Sequence, residues 1–510
     1  MSALLRVAVL GGGITGLVAA YRLAAEAKKQ GRSLECTVIE QASRWGGKVK
    51  SVRTDGLVFE EGPDSILTRK PAGVRLCLEL GLGDRLVGTA GSGSFVRIGD
   101  TLHRLPEGLS GLVPTKLGPF VKSSLITARG KARMALEYFV PPRREAGDES
   151  LGSFVRRRLG TEALERLAEP LLSGIYAGNV DNLSVRATFP QFIKMEEEHG
   201  GMIRAVLAGR KKSDGTKGAP AGGAQASGSP ANGSQSNGSR AGAAAQSDAQ
   251  SQVPRSTFVS LEGGIYTLIE ALVDRLASEP TVALLSGVGA ASLRRVAAEG
   301  GDRGVYEVAL EDGRVIEADA VLLTTPAYVQ SELLKELAPA AANSLGEIGY
   351  VSVAGVVLEY RRSDISHPLN GTGYLNPRTE GRPVTACTWA SAKWPHVAPE
   401  DRAVLRFHFG KGGAEQAAFW EDDRLIRTAE DEARTILGIR GEPRERWIYR
   451  WNKGMPQYEV GHLERVERIE RELVASAPGV FVAGAAFRGV GIPDCVTQGE
   501  KAAQTILSGI

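Results

Sequence analysis

The sequence predicts an α/β fold that opens on a parallel sheet, and three observations predict it. An apolar run, Val7-Ala8-Val9-Leu10, passes directly into Gly11-Gly12-Gly13-Ile14-Thr15-Gly16. From Ile14 to about Lys29, Leu17, Ala20, Leu23 and Ala24 recur at helical spacing. A second apolar run, Cys36-Thr37-Val38-Ile39, ends on Glu40. Strand, glycine turn, helix, strand and acid make a dinucleotide-binding unit.

Each part of that unit has a physical job. Gly11 permits the tight turn, Gly13 lets the backbone approach a pyrophosphate, and Gly16 lets the helix pack on the strand. The free N–H groups and positive dipole end of the helix face phosphate charge. Glu40 is placed to accept hydrogen bonds from ribose hydroxyls.

Composition bounds the rest. A chain of 510 residues is long enough for two or three domains. With 62 Lys and Arg against 59 Asp and Glu, the net charge of +3 gives no support to nucleic-acid binding. Cys36, Cys77, Cys387 and Cys495 are scattered, with no C-x-x-C, and the six histidines are dispersed. That pattern points to a reducing, cytoplasmic compartment without disulfides, and to no metal. No apolar run approaches the ~18 residues a membrane span needs, so none is expected.

Beyond Glu40, Arg44, Trp45, Gly46, Gly47 and Lys48 lead into a strand at 49–53. Paired glycines past the ribose acid let the backbone turn beneath a cofactor, and Arg44 or Lys48 would meet the pyrophosphate. This pairing favours a flavin over a plain nicotinamide fold. Glu61-Gly62-Pro63-Asp64-Ser65 is a turn that suits main-chain groups aimed at a planar ligand. Helices are expected at 74–80 and 131–139. The apolar segment 114–125 reads as core, or else as cover for a pocket or a rest on a membrane surface. Arg129, Lys131 and Arg133, then Arg143-Arg144 and Arg156-Arg157-Arg158, read as solvated faces or as a site for an anionic ligand or lipid headgroup. Glu169 to Asn179 looks like a close-approach segment whose bare carbonyls face a ligand.

Residues 213–252 are nearly all Gly, Ser, Ala, Gln and Asn, with no Val, Ile, Leu, Met or aromatic residue. Such a stretch buries too little apolar surface to offset its ordering entropy, and it reads as a disordered insertion. A hairpin is expected at 305–317, and the apolar run 320–323 should rejoin the parallel sheet. Strands at 351–360 and 404–409, with a helix at 420–437, would build a second sheet as substrate platform. The tail returns to the cofactor: a strand at 480–485, a glycine turn at 488–495 and a helix at 496–507. A second helix N-terminus there suits the pyrimidine end of a flavin.

Together, Gly11–Gly16, Glu40, Gly46-Gly47, Glu61–Ser65, Leu172-Ser173-Gly174-Ile175-Tyr176-Ala177-Gly178 and Gly491-Ile492-Pro493-Asp494-Cys495 resemble the FAD-dependent protoporphyrinogen and coproporphyrinogen oxidases. These are amine-oxidase-like flavoproteins, and the soluble bacterial coproporphyrinogen III oxidases are the nearest in character. The last two runs are the more specific ones. The resemblance implies an FAD-binding Rossmann-like domain (1–64, 255–325 and 442–510), a mixed-sheet substrate domain (65–95, 185–212 and 326–441) and a helical domain (96–184). It implies FAD held by Gly11, Gly12, Gly13, Ile14, Thr15, Gly16, Glu40, Gln41, Gly47 and Lys48. Gly62, Pro63, Asp64 and Ser65 would line the flavin, with Gly491, Ile492 and Pro493 at its far end, Trp451 nearby and Ala290 near the adenine. Lys48 stands where relatives commonly carry arginine. Gly174 and Ile175 would contact the macrocycle, and Arg69 or Lys70 would pair a propionate.

The chemistry so implied is hydride removal from a bridging carbon to flavin N5 and proton loss from a pyrrole nitrogen, with oxygen reduced to hydrogen peroxide. It requires no catalytic side chain of its own and no metal. The basic groups favour coproporphyrinogen III, with four propionates, over protoporphyrinogen IX, with two. The rivals are protoporphyrinogen oxidation, a desaturase or amine oxidase, and a non-catalytic flavin or porphyrin carrier. A transient contact with a ferrochelatase-type partner and a peripheral membrane contact are compatible with the same reading.

Overall fold

The computed structural model describes residues 4–91, 93–110, 112–145, 147–214, 253–297 and 304–509. Ser213 and Asp214 end a helix, Met202–Asp214, and the remainder of the expected insertion lies outside the described residues. Two compact units are present: residues 1–89, 238–349 and 462–510, and residues 90–237 and 350–461.

The first unit is built on β1 (Leu5–Leu10), α1 (Ile14–Lys29) and β2 (Leu34–Glu40). These strands join a five-stranded parallel sheet in the order 282–286, 34–40, 5–10, 320–323, 480–482. Strands covered on both faces read as continuous apolar runs, and Val9, Val38 and Leu322 are fully buried. Along α1, Leu17, Val18, Ala20 and Leu23 are likewise fully buried. Each large apolar side chain among them contributes ~1.5–3 kcal/mol of transfer free energy. Lys28 and Lys29 occupy the last turn, at the negative end of the helix dipole.

The C-terminal helix runs Ile492–Gly509, starting four residues before the expected position. Pro493 does not prevent this, because a proline in the first turn forfeits only an N–H that has no helical acceptor anyway. This helix packs along α1. A Cβ on Gly499 would stand 2.6 Å from the Thr15 carbonyl oxygen, so only glycine permits the approach. The expected hairpin forms as Val305–Leu310 against Val315–Ala318.

The second unit carries a seven-stranded sheet in the order 445–456, 350–361, 402–409, 384–389, 373–375, 95–98, 101–104. The strand Glu445–Pro456, expected with the FAD region, instead pairs antiparallel with Tyr350–Arg361. One face of the sheet buries Val356, Leu358, Leu405 and Phe407 with Leu425, Ala429 and Ala433 of the helix Asp422–Leu437. The expected helices appear as Pro71–Glu79 in the first unit and, in the second, as Ala128–Ala135 continuing into a 3-10 turn, Leu136–Phe139. In the 114–125 segment, Phe120 and Leu125 are core, as favoured, while Val121 is exposed.

Arg133, Arg156, Arg157 and Arg158 are not a free basic face. Arg158 is fully buried and bonded to Glu137, and Arg157 bridges Glu149 and Glu196. Arg133 donates to the carbonyls of Arg157 and Arg158, and Arg156 pairs with Asp181. Acids distant in sequence return to meet them, which local charge counting does not reveal.

Candidate functional site

The cradle in the first unit is built at the end of β1. Gly11 takes φ +117°, and its N–H donates to the Ile39 carbonyl at 2.8 Å. Thr324 Oγ1 donates to the Gly11 carbonyl at 2.8 Å, which fixes the turn from the neighbouring strand. A Cβ on Gly16 would lie 2.0 Å from that same carbonyl oxygen. Gly12 is needed for a different reason: a Cβ there would meet the Trp45 ring at 2.4 Å. Gly13, by contrast, has nothing within 4 Å of its Cβ position. It caps α1 without a side-chain hydrogen bond, and no acid occupies the first turn. Ile14, Thr15 and Gly16 therefore start a helix whose N-terminal N–H groups have no side-chain cap, beside the open space at the Gly13 Cβ position.

Glu40 is oriented by two main-chain donors, Gly12 N to Oε2 at 2.8 Å and Ala42 N to Oε1 at 2.9 Å. Each carboxylate oxygen keeps a lone pair for a ribose hydroxyl. Gln41 Nε2 donates to Glu311 Oε1 at 3.1 Å, and Gly289 N donates to Glu311 Oε2 at 3.0 Å. Val288 N also donates to the Glu40 carbonyl at 3.2 Å. Ala290 is thereby drawn into the Glu40–Gln41 neighbourhood from 250 residues away in sequence.

The paired glycines close the cradle from below. Gly46 and Gly47 take φ +94° and +56°, and Gly46 N donates to the Gly12 carbonyl at 2.8 Å. Of the two cations considered for the pyrophosphate, Arg44 spends its guanidinium on the carbonyls of Trp45, Gly47 and Val49. Lys48 is half-buried with no carboxylate paired to it among the described residues, and burial holds its ammonium below the usual lysine range. A Cβ on Gly62 would lie 1.8 Å from the Lys48 carbonyl, so the Gly62–Ser65 turn rests directly on the segment that follows the paired glycines. Ser65 Oγ donates to Asp64 at 2.9 Å.

The start of the C-terminal helix completes the unit. Ile492 and Pro493 are buried, and Pro493 packs on Gly73. Burial pushes the Cys495 thiol up to about 11 despite a hydrogen bond with Thr15, which places this helix start beside that of α1. Lys70 Nζ donates to both carboxylate oxygens of Asp494 at 2.7 Å. The lysine considered for a propionate therefore holds the far-end turn, while Arg69 is exposed.

Trp451, Gly174 and Ile175 belong to the second unit. Trp451 stands in the edge strand opposite Val353. The run before Gly174 is a π-helical stretch, Leu164–Ser173, with Pro170 inside it. The expected bare carbonyls are engaged: Gln457 Nε2 donates to the Tyr176 carbonyl at 2.9 Å, and Gly412 N to the Ala177 carbonyl at 2.6 Å. What stays open is Gly174, with nothing within 4 Å of its Cβ position, and Ile175, which is 50% exposed. Sequence reasoning assigned no contact to Thr324 and Gln457, nor to Trp45 and Asp494 within the motifs that carry them. Each acts across a long sequence separation or through a turn, so no local pattern reveals the partner.

Comparison with known proteins agrees with this geometry. A model of the flavin containing amine oxidoreductases matches residues 14–507, and the chain belongs to that family. It is an FAD-dependent oxidoreductase. The chain is 36% identical over 502 residues to coproporphyrinogen III oxidase of Bacillus subtilis (strain 168), covering 98% of each. It is 31% identical over 522 residues to protoporphyrinogen oxidase of Bos taurus, again covering 98% of each. A crystal structure of an Exiguobacterium sp. 255-15 protein, provisionally named a protoporphyrinogen oxidase, superposes with TM-score 0.80 at 32% identity over 99% of both chains.

Proposed function

We propose that this chain oxidises coproporphyrinogen III to coproporphyrin III, using FAD and oxygen and releasing hydrogen peroxide, in haem biosynthesis. The observation that carries the reading is end-to-end similarity to the Bacillus subtilis enzyme, supported by the glycine turn at the start of α1. Bound FAD supplies the hydride acceptor and the route to oxygen. The chain's own residues bind and orient. The N-terminus of α1 takes the diphosphate on the N–H groups of Gly13 to Gly16, assisted by Gly12 and Gly47. Glu40, held by two N–H donors, takes the ribose, with Gln41 and Ala290 towards the adenine. Lys48, with no acid paired to it among the described residues, offers the cofactor a positive charge. The Gly62-Pro63-Asp64-Ser65 turn and Gly491-Ile492-Pro493 line the flavin. Gly174 and Ile175 receive the macrocycle, and Arg69 or Lys70, the latter held by Asp494, pairs a propionate.

The second reading is protoporphyrinogen IX oxidation, which the bovine relative favours. A non-catalytic porphyrin carrier is the alternative of another class. Buried, unpaired cysteines support a cytoplasmic setting. No helix among the described residues is long and apolar enough to cross a membrane. Exposed Leu136, Tyr138 and Phe139 would serve a peripheral membrane contact or a ferrochelatase-type partner. Purified protein supplied aerobically with each porphyrinogen, with porphyrin fluorescence and peroxide followed together, tests the proposal. Faster turnover of coproporphyrinogen III supports it, preference for protoporphyrinogen IX installs the second reading, and a yellow protein that oxidises neither leaves the carrier.

A further inference from the structure

The second unit holds a charged cluster beside the Gly174–Ile175 segment that the preceding sections leave without a role. Glu169, on the π-helical stretch, is shared by two cations. Its Oε2 accepts from the Arg378 backbone N–H at 3.0 Å, and its Oε1 stands 3.9 Å from Arg378 Nε and 3.5 Å from Lys411 Nζ. The side chains of Glu169 and Lys411 are 6% and 9% exposed, that of Arg378 31%. Neither cation pairs with another carboxylate among the described residues. Two positive charges facing one carboxylate leave an unbalanced positive charge in a mostly buried setting, which is costly unless an anion completes it.

The hydrogen bonds give the direction. Arg378 Nη2 donates to the Gly412 carbonyl at 2.6 Å, and the Gly412 N–H donates to Ala177. The guanidinium is therefore two hydrogen bonds from the segment that carries Gly174 and Ile175. Arg378 Nε is buried with no hydrogen-bond acceptor. A planar guanidinium with unspent donors, partly open to solvent and backed by a buried ammonium, is built for a carboxylate.

We propose that Arg378, backed by Lys411, is a carboxylate-recognition site that takes a propionate of the substrate and so contributes to its selection. The proposal rests on the porphyrinogen reading above. Glu169 is a positioning residue: it holds Arg378 through the backbone N–H and keeps Lys411 behind it.

The test titrates flavin-loaded, full-length protein with coproporphyrin III and with its tetramethyl ester in dilute detergent, following porphyrin fluorescence. Arg378→Gln should weaken coproporphyrin III about tenfold or more, since one charged hydrogen-bonding partner is lost, and leave the ester nearly unchanged. Arg378→Lys should recover part of the loss. Lys411→Gln, which keeps Arg378, should show the same selective loss at smaller size and decides the matter if Arg378→Gln fails to fold. Equal losses for both ligands, or none for either, overturn this inference alone. A wild-type protein that binds neither porphyrin overturns it together with the porphyrinogen reading.

Discussion

At the scale of single residues, the four glycines of the turn do different work, and substitution separates them. Gly16→Ala drives a methyl group to 2.0 Å from the Gly11 carbonyl, which backbone cannot yield cheaply. The expected result is a loss of ~1–3 kcal/mol of stability, read by thermal unfolding, together with loss of flavin. Gly13→Ala meets nothing within 4 Å. Its unfolding temperature as apoprotein should match the parent while its flavin content drops, because the methyl group enters the space that the phosphates need. The reverse ranking would show that the cradle is misassigned. The glycine positions and Glu40 are legible in sequence because a local turn and one strand length fix them. The division of labour between Arg44 and Lys48 is not, since it depends on which carbonyls the guanidinium reaches. Nor is Lys70 with Asp494, whose partners are 424 residues apart.

At the scale of elements, periodicity locates helices and strands well and their ends less well. The C-terminal helix starts at Ile492 because Pro493 is harmless in a first turn, a distinction that composition alone blurs. The π-helical stretch around Pro170 has no sequence signature at all. In the second unit, Glu196 of the helix Pro190–His199 yields a pH prediction. Burial raises its pKa, but hydrogen bonding and charge from Arg157 and Arg158 outweigh this and hold it below the usual carboxylate value. A folded-state pKa below the unfolded one stabilises the fold above the unfolded value, and that contribution disappears as pH falls through the folded value. Arg157→Gln should therefore cost on the order of 2 kcal/mol at neutral pH and move acid unfolding to higher pH, as followed by circular dichroism. An unchanged acid midpoint would mean that the pair does not hold this helix.

At the scale of the whole molecule, the parallel sheet was legible because strands buried on both faces leave apolar runs, as at 7–10, 36–39 and 320–323. The seven-stranded sheet was only partly so. The strand 445–456 has neither a continuous apolar run nor a regular alternation of burial, and its partner is chosen by register across 86 to 106 residues. FAD bound to the folded state alone stabilises it by mass action. Removing the flavin should thus lower the unfolding temperature, and adding FAD back should restore it, rising further with the logarithm of ligand concentration once the site is saturated. A melting temperature indifferent to FAD would contradict a preformed site.

The central claim, that this flavoprotein takes electrons from a porphyrinogen, is tested most directly without oxygen. Coproporphyrinogen III is mixed anaerobically with the yellow protein in a stopped-flow cell, and flavin colour and porphyrin fluorescence are recorded together. We predict that the flavin bleaches within the mixing experiment as porphyrin-type fluorescence rises, and that admitting oxygen restores the colour. A flavin that remains oxidised in the presence of saturating porphyrinogen would contradict the account.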